Sequence, residues 1–496
     1  MDGRTVVVGG GVAGLVLARD LARAGHEVIV LEARAHAGGS VGPLTITRGG
    51  IDGAEPQCPE SSPFTEVTVD AGAESFATRS TAVPELLAEL GLADDVVAPS
   101  SASAWVRSPD VLTRLPRSGV LGIPGDLADV RRALGTRAWL RARLDTVLPA
   151  SVGTRGDDGV SVGHLVRARL GSRVLRTFVA PVAGGVHSTS ADVLDVDAVA
   201  PGLRDGVARH GSLVAAASAL RQAAPSGAAV AGLRGGMHRI VTALLADLAA
   251  LGVDVRTSVR VARLDRTGTG WAVHIVGPSR PGSHEAAVGA SAAGTLEAEH
   301  VVVATSSADA ARLLEPHVPA ETLPAVPSGH VNLVTLVLDA PALDVAPRGT
   351  GVLVAAGTNA AHGIRAKALT HASAKWSWVA DSLPPGHHVV RLSYGRLGGE
   401  PDPGDASATS LERTALHDAG QLLGVPLTPA HVVGAKVVRF ASALPFAATG
   451  HRARVARLRD AVAHVPGLHV AGAWVAGTGL SAVVTDARRT AAEMLA

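Results

Sequence analysis

The stretch TVVVGGGVAGLVLARDLARAGHEVIVLE, residues 5–32, decides the fold. Thr5–Val8 is a short β-branched run without polar alternation, the pattern of a strand buried on both faces of a parallel sheet. Gly9, Gly11 and Gly14 follow at G-x-G-x-x-G spacing. Leu15 to Ala24 reads as a helix that stops at Gly25. Glu27–Leu31 is a second apolar strand, and Glu32 stands at its end. Strand, glycine turn, helix, strand and acid within about thirty residues describe a βαβ dinucleotide-binding unit.

Each glycine has its own reason. The first makes the tight turn, the second lets backbone approach a pyrophosphate, and the third lets the helix pack on the strand. Backbone N–H groups of the loop and first turn, Gly9, Gly10, Gly11, Val12, Ala13, Gly14 and Leu15, are expected to receive the phosphates. Glu32 is expected to accept hydrogen bonds from ribose hydroxyls and to repel a 2′-phosphate, which disfavours NADP. With 57 glycines in 496 residues, chance yields on the order of one such triplet per chain, so the flanking elements carry the assignment.

NAD and FAD both satisfy that unit. Two later features favour FAD. Just beyond the acid, Ala33 leads to Gly38-Gly39-Ser40, a second glycine pair suited to the close approach of a longer cofactor. Far away, Gly472-Ala-Trp-Val-Ala-Gly-Thr478-Gly479-Leu480-Ser-Ala482 lies between the last strand, Leu468–Ala471, and a closing helix. A helix N-terminus aimed at a reduced flavin would stabilise its negative charge.

Composition excludes other classes. Lys+Arg is 45 and Asp+Glu is 44, a balance that gives no reason to expect a nucleic-acid partner. The one cysteine, Cys58, permits no intrachain disulfide and no thiolate metal cluster. No metal site is expected. The N-terminus lacks a signal-peptide pattern, so the expected compartment is the cytoplasm. Val465 to Thr485 is uncharged but contains several glycines, and reads as a buried strand and turn rather than a membrane span.

Dinucleotide-type segments recur at the start, middle and end. The expected fold class is α/β with α+β inserts: a discontinuous, Rossmann-like FAD-binding domain (1–80, 230–310 and 430–496) carrying two inserted domains. One is mainly helical (95–210), with Arg-rich faces read as solvated. The other is β-rich (311–429), helped by 81–94 and 211–229. Val259–Leu264, Trp271–Val276 and Val301–Ala304 are expected to continue the cofactor sheet, and Arg48–Val67 to be a surface excursion.

The ordered segments GGGVAGL, LEARAHAGG, VDAGAESFATRSTAVPELLAELGL, RLPRSGVLGIP, SVGHLVRARLGSRVLRTFVAPVAGGVHS, LRGGMHRI, VVVATSSADAARLL, HASAKWSW and PGLHVAGAWVAGTGLSAVV resemble the bacterial porphyrinogen oxidases over nearly the whole chain. The resemblance implies FAD-dependent removal of six electrons from coproporphyrinogen III, with dioxygen as acceptor and hydrogen peroxide as product, in heme biosynthesis. Alternatives are protoporphyrinogen IX oxidation, another amine-oxidase-fold flavoenzyme, or a catalytically silent binding protein. The flavin itself carries the chemistry. By position, the FAD contacts it implies are Gly9–Leu15, Glu32, Ala33, Gly39, Ser40, Gly72, Ala73, Glu74, Ser75, Val259, Gly472, Thr478, Gly479 and Leu480. Candidate cations for substrate propionates are Arg176, His187, Arg365, Lys367, His371 and Lys375. Peripheral membrane contact and the oligomeric state stay open. The chain departs from the family pattern at His36, His187, Phe440 and the TGLS turn.

Overall fold

The computed structural model describes residues 3–51, 64–156, 159–223, 229–277, 292–323, 330–395, 407–441, 448–477 and 479–496. Five parallel strands form the cofactor sheet, in the order Asp254–Arg256, Val28–Leu31, Thr5–Val8, His300–Val303, Leu468–Val470. Alternate side chains serve opposite faces. Val7, Val30 and Val302 pack against the helices Val12–Arg23, Arg239–Ala250 and Leu480–Leu495. Val6, Val8, Ile29, Leu31, Val301 and Val303 pack the other way. This two-sided burial is why the strands read as continuous apolar runs.

What covers that second face corrects one expectation. Arg260–Arg266 and Trp271–Gly277 do not extend the parallel sheet. With Ala292–Ala298 they make a separate antiparallel meander whose Val261, Leu264, Trp271 and Val273 lie on the cofactor sheet. Four residues separate the first two strands, which allows only a hairpin, since a parallel return needs a crossover of roughly a dozen residues. Only His300–Val303 joins the parallel sheet.

A seven-stranded sheet lies beside this unit, ordered Val432–Ala441, His330–Asp339, His387–Tyr394, Ala368–His371, Gly351–Val354, Ala104–Arg107, Leu112–Arg114. Three of these strands fall outside the β-rich span expected from sequence. Ala104–Arg107 pairs in parallel with Gly351–Val354, Leu112–Arg114 follows it, and Val432–Ala441 pairs with His330–Asp339. Partners so distant in sequence leave no local trace. The helix Ala408–Leu423 covers one face of the sheet, while the hairpin Pro43–Thr47/Glu66–Asp70 and the segment around Trp376 cover the other. The Arg48–Val67 excursion is therefore anchored at its ends in a hairpin that is buried on one face. Residues 52–63, with Cys58, lie outside the described residues.

The helical part runs from Arg131 to Ala223 and has its own apolar core. Its arginines are not all solvated. Arg169 is fully buried, paired with the buried Asp145 at 2.5 Å and bonded to the carbonyls of Asp145, Pro149 and Gly211. A buried charge needs such a complete set of partners. Among the described residues, no helix is long and apolar enough to cross a membrane. Within the apolar stretch 465–485 lie the strand Leu468–Val470, a short helix, Ala473–Ala476, and the start of the last helix.

Candidate active site

The site is assembled at the carboxyl ends of the parallel strands, where open α/β sheets bind their ligands. Gly9 has φ +119°, and a Cβ added there would lie 2.4 Å from the Ala304 carbonyl oxygen. A Cβ at Gly14 would lie 2.0 Å from the Gly9 carbonyl oxygen. These two glycines are required by the protein's own packing. Gly11 is different: a Cβ there would meet nothing within 4 Å, so its backbone faces open space. That is the cradle a pyrophosphate needs.

The side chains of Val12, Ala13 and Leu15 are buried in the core, leaving only backbone to a ligand. The first intrahelical bond is Leu15 N to Gly11 O, so the N–H groups just before it have no partner within the helix. Glu32 is buried, accepting from Gly10 N at 2.9 Å and Arg34 N at 2.8 Å. The acid thus shapes the glycine loop directly, a role the sequence reading had not assigned to it. Val259 N donates to the Glu32 carbonyl, which sets Glu32, the exposed Ala33 and Val259 at one corner.

The second glycine pair closes on the first. Gly38 N donates to Gly10 O, and a Cβ at Gly39 would lie 3.4 Å from Gly11 Cα. From there contact passes to the next loop: Ala73 N donates to Ser40 O at 3.0 Å, and a Cβ at Gly72 would lie 2.4 Å from that same oxygen. At the far end of the chain, Gly472 and Gly479 have φ +116° and +109°. Gly479 has open space around its Cβ position and caps the helix Leu480–Leu495, with Leu480 buried behind it. Thr478 lies outside the described residues. Ala77, Arg79 and Ser80 join Gly479, Leu480 and Asp486 in lining a cavity of ≈ 500 Å³.

The substrate candidates scatter. Lys375 is committed to an ion pair with Glu74 at 2.5 Å, and Arg391 pairs with the other Glu74 oxygen at 2.7 Å. Burial opposes the Glu74 charge, but Arg391 and Lys375 outweigh it and hold the carboxyl at about 2. The Glu74 side chain is therefore engaged by protein cations. His371 is fully buried on the seven-stranded sheet, with Nε2 3.2 Å from His388 Nδ1, and burial aided by His388 pushes it down to about 4. Neither Lys375 nor His371 is presented as an open propionate ligand. Their sequence neighbourhood looked cationic, but their partners come from distant segments.

Lys367 is buried, donating to Ser188 Oγ at 2.5 Å and to the Gly395 carbonyl at 2.7 Å. Ser188 follows His187, so these two candidates meet where the helical part abuts the sheet. Burial, with the Arg79 charge adding to it, pushes His187 down to about 4. Arg176 is exposed in the π-helical stretch Leu175–Val179, and Arg365 is exposed. The sequence reading missed Arg79 and Arg391. Arg79 stands four residues beyond the glycine-loop serine Ser75, a proximity that could have marked it. Nothing local marks Arg391.

Among the described residues no cluster of His, Cys, Asp and Glu could hold a metal. The profile of the flavin containing amine oxidoreductases matches residues 12–495. Coproporphyrinogen III oxidase of Propionibacterium freudenreichii subsp. freudenreichii is 29% identical, covering 99% of this chain and 90% of that protein. The Mycobacterium tuberculosis (strain H37Rv) protein of the same name is 29% identical over 99% of this chain and 96% of its own. Among solved structures, an Exiguobacterium protein assigned as a protoporphyrinogen oxidase superposes with a TM-score of 0.79 at 23% identity, covering 99% and 98% of the two chains. Cyclohexylamine oxidase from Brevibacterium oxydans superposes with a TM-score of 0.61 at 16% identity, covering 100% and 99%. The cofactor expectation stands: the family is flavin-containing, and FAD is the cofactor it supports. This chain is an oxidoreductase fold with that cradle at its centre, and it belongs to the flavin containing amine oxidoreductase family.

Proposed function

We propose that the protein oxidises coproporphyrinogen III to coproporphyrin III in the cytoplasm, with dioxygen as the final acceptor. The observation that carries this reading is the end-to-end match to relatives named coproporphyrinogen III oxidase, at 29% identity over 99% of the chain. Six electrons leave the substrate in three rounds. Each round removes one hydride from a meso carbon and one proton; over the three rounds two of the protons come from pyrrole N–H groups and one from the fourth meso carbon. Bound FAD supplies the hydride acceptor and the link to dioxygen, which leaves as hydrogen peroxide.

The chain's own residues hold and orient. In this reading Gly9–Leu15 receive the pyrophosphate, Glu32, Ala33 and Val259 the adenosine end, and Gly39, Ser40, Gly72–Ser75, Gly472 and Thr478–Leu480 the flavin end. The division into a discontinuous cofactor domain, a helical domain and a β-rich substrate domain follows from the same resemblance. Arg79, on the cavity beside Gly479 and Leu480, forms no ion pair or hydrogen bond with a described residue and suits a propionate. Of the cations singled out from the sequence, Arg176 and Arg365 are the ones left exposed.

Aerobic fluorescence tests the substrate, because porphyrinogens are dark and porphyrins fluoresce. The reading requires a faster rate with coproporphyrinogen III than with protoporphyrinogen IX. The reverse order would make this a protoporphyrinogen oxidase, and no rate above autoxidation with either would reject the porphyrin assignment. Arg79→Gln should raise KM for the four-propionate substrate about tenfold, the scale of one charge-assisted hydrogen bond.

A further inference from the structure

Arg391 lies on the strand His387–Tyr394 of the seven-stranded sheet, yet both of its terminal nitrogens bond to the segment 70–74 beside the cofactor unit. Nη1 donates to the carbonyls of Asp70 at 3.2 Å and Gly72 at 2.9 Å, and Nη2 donates to Glu74 Oε2 at 2.7 Å. Val389 and Arg391 project from one face of their strand towards the Pro43–Asp70 hairpin, while Val390 and Leu392 pack on the other. The arginine is thus delivered by strand alternation.

The bond to Gly72 matters most. In a trans amide the C=O and N–H point in opposite directions, and no cis peptide occurs among the described residues. The Gly72 carbonyl is taken by Arg391, and the N–H on the other side of the same amide, Ala73 N–H, is taken by Ser40 O at 3.0 Å. One peptide plane is therefore strung between the seven-stranded sheet and the loop that follows the second glycine pair. Gly72 cannot be replaced there, because a Cβ would lie 2.4 Å from Ser40 O. Lys375 pairs with Glu74 Oε1 but makes no bond to the Gly72–Ala73 amide.

We propose that Arg391 is a positioning residue that sets the orientation of the Gly72–Ala73 peptide against the flavin, and that this clamp, rather than its ion pair with Glu74, is its contribution to the redox step. The proposal rests on the reading that Gly72–Ser75 lie along bound FAD. A fixed peptide dipole beside a flavin alters how well its reduced, charged form is stabilised, so turning the dipole shifts the potential. The guanidinium is needed because only a planar fork reaches two carbonyls and a carboxylate together; a lysine ammonium keeps the charge without that geometry.

Three variants separate clamp from charge: Arg391→Gln, Arg391→Lys and Lys375→Gln. Two readouts other than turnover are used. Hydrogen–deuterium exchange of residues 70–77 in protein without FAD reports the clamp, and the midpoint potential with FAD reports its effect. Both Arg391 variants should exchange about tenfold faster in this segment, the effect of losing one charge-assisted hydrogen bond. They should also shift the potential and lower kcat while leaving KM within about threefold. Lys375→Gln should match the wild type in exchange and potential. Equal effects in Lys375→Gln and Arg391→Gln would overturn the proposal in favour of the ion cluster. Wild-type exchange and potential in both Arg391 variants would overturn it as well. A wild-type protein that takes up no FAD would instead bring down the cofactor reading, and this proposal with it.

Discussion

Gly10 donates its backbone N–H to Glu32 Oε2 at 2.9 Å, so the acid at the end of the second strand holds the glycine loop of the first. The second oxygen of Glu32 holds Arg34 N at 2.8 Å. Each oxygen retains a lone pair for a ribose hydroxyl. Glu32→Ala should therefore weaken FAD binding more than loss of a ribose contact alone would, by about a hundredfold for two charge-assisted bonds. Titration of the FAD-free variant, followed by flavin fluorescence quenching, checks this. Affinity within a factor of about three of wild type would show that the loop needs no such brace.

Gly11→Val and Gly14→Ala should fail in different ways. The Gly11 side faces open space and its φ of −71° suits any residue, so the valine variant should fold with an unchanged melting temperature but retain no FAD. In Gly14→Ala the new methyl would overlap the Gly9 carbonyl oxygen at 2.0 Å, so the fold itself should lose stability, by about 1–3 kcal/mol. Thermal melts without FAD, paired with visible spectra, distinguish the two. A yellow Gly11→Val protein would show that the cradle is misread.

Acid should destabilise the protein in two stages. Burial holds His187, His371 and His469 at about 4 in the fold, with Arg79, His388 and His300 respectively adding to the shift. An unfolded chain binds those protons near pH 6.5. The folded pKa values are lowered, so this stability is complete above about pH 6.5 and is lost as pH falls towards 4. Three such groups imply a slope of up to roughly 4 kcal/mol per pH unit near pH 5. Glu74 acts later. Its carboxyl is lowered to about 2, so its share is present above the unfolded value of about 4.5 and is lost as pH falls from there to 2. Urea melts from pH 7 to 4 measure the first stage. A stability independent of pH between 6.5 and 4.5 would contradict the buried, neutral histidines.

The cofactor half of the molecule was legible because its signals are local. Gly9 to Gly14, Glu32 and the Gly38–Gly39 pair lie within one βαβ unit, and contacts such as Gly10 N to Glu32 and Gly14 against the Gly9 carbonyl stay inside it, although Gly9 also abuts the distant Ala304 carbonyl. The substrate half was not. Lys375, His371 and Lys367 looked like propionate ligands, yet Glu74, His388 and Ser188, which they contact, come from other segments of the chain. Arg391 reads as an ordinary strand residue until the 317 positions separating it from Glu74 are closed by the fold. The strand Ala104–Arg107 was missed for the same reason, because its partner is Gly351–Val354.

The most direct test is the FAD content of the purified wild-type chain, read from its visible flavin spectrum before and after incubation with FAD and gel filtration. The account predicts a yellow protein that saturates at one FAD per chain. A colourless protein that takes up no added FAD would contradict it.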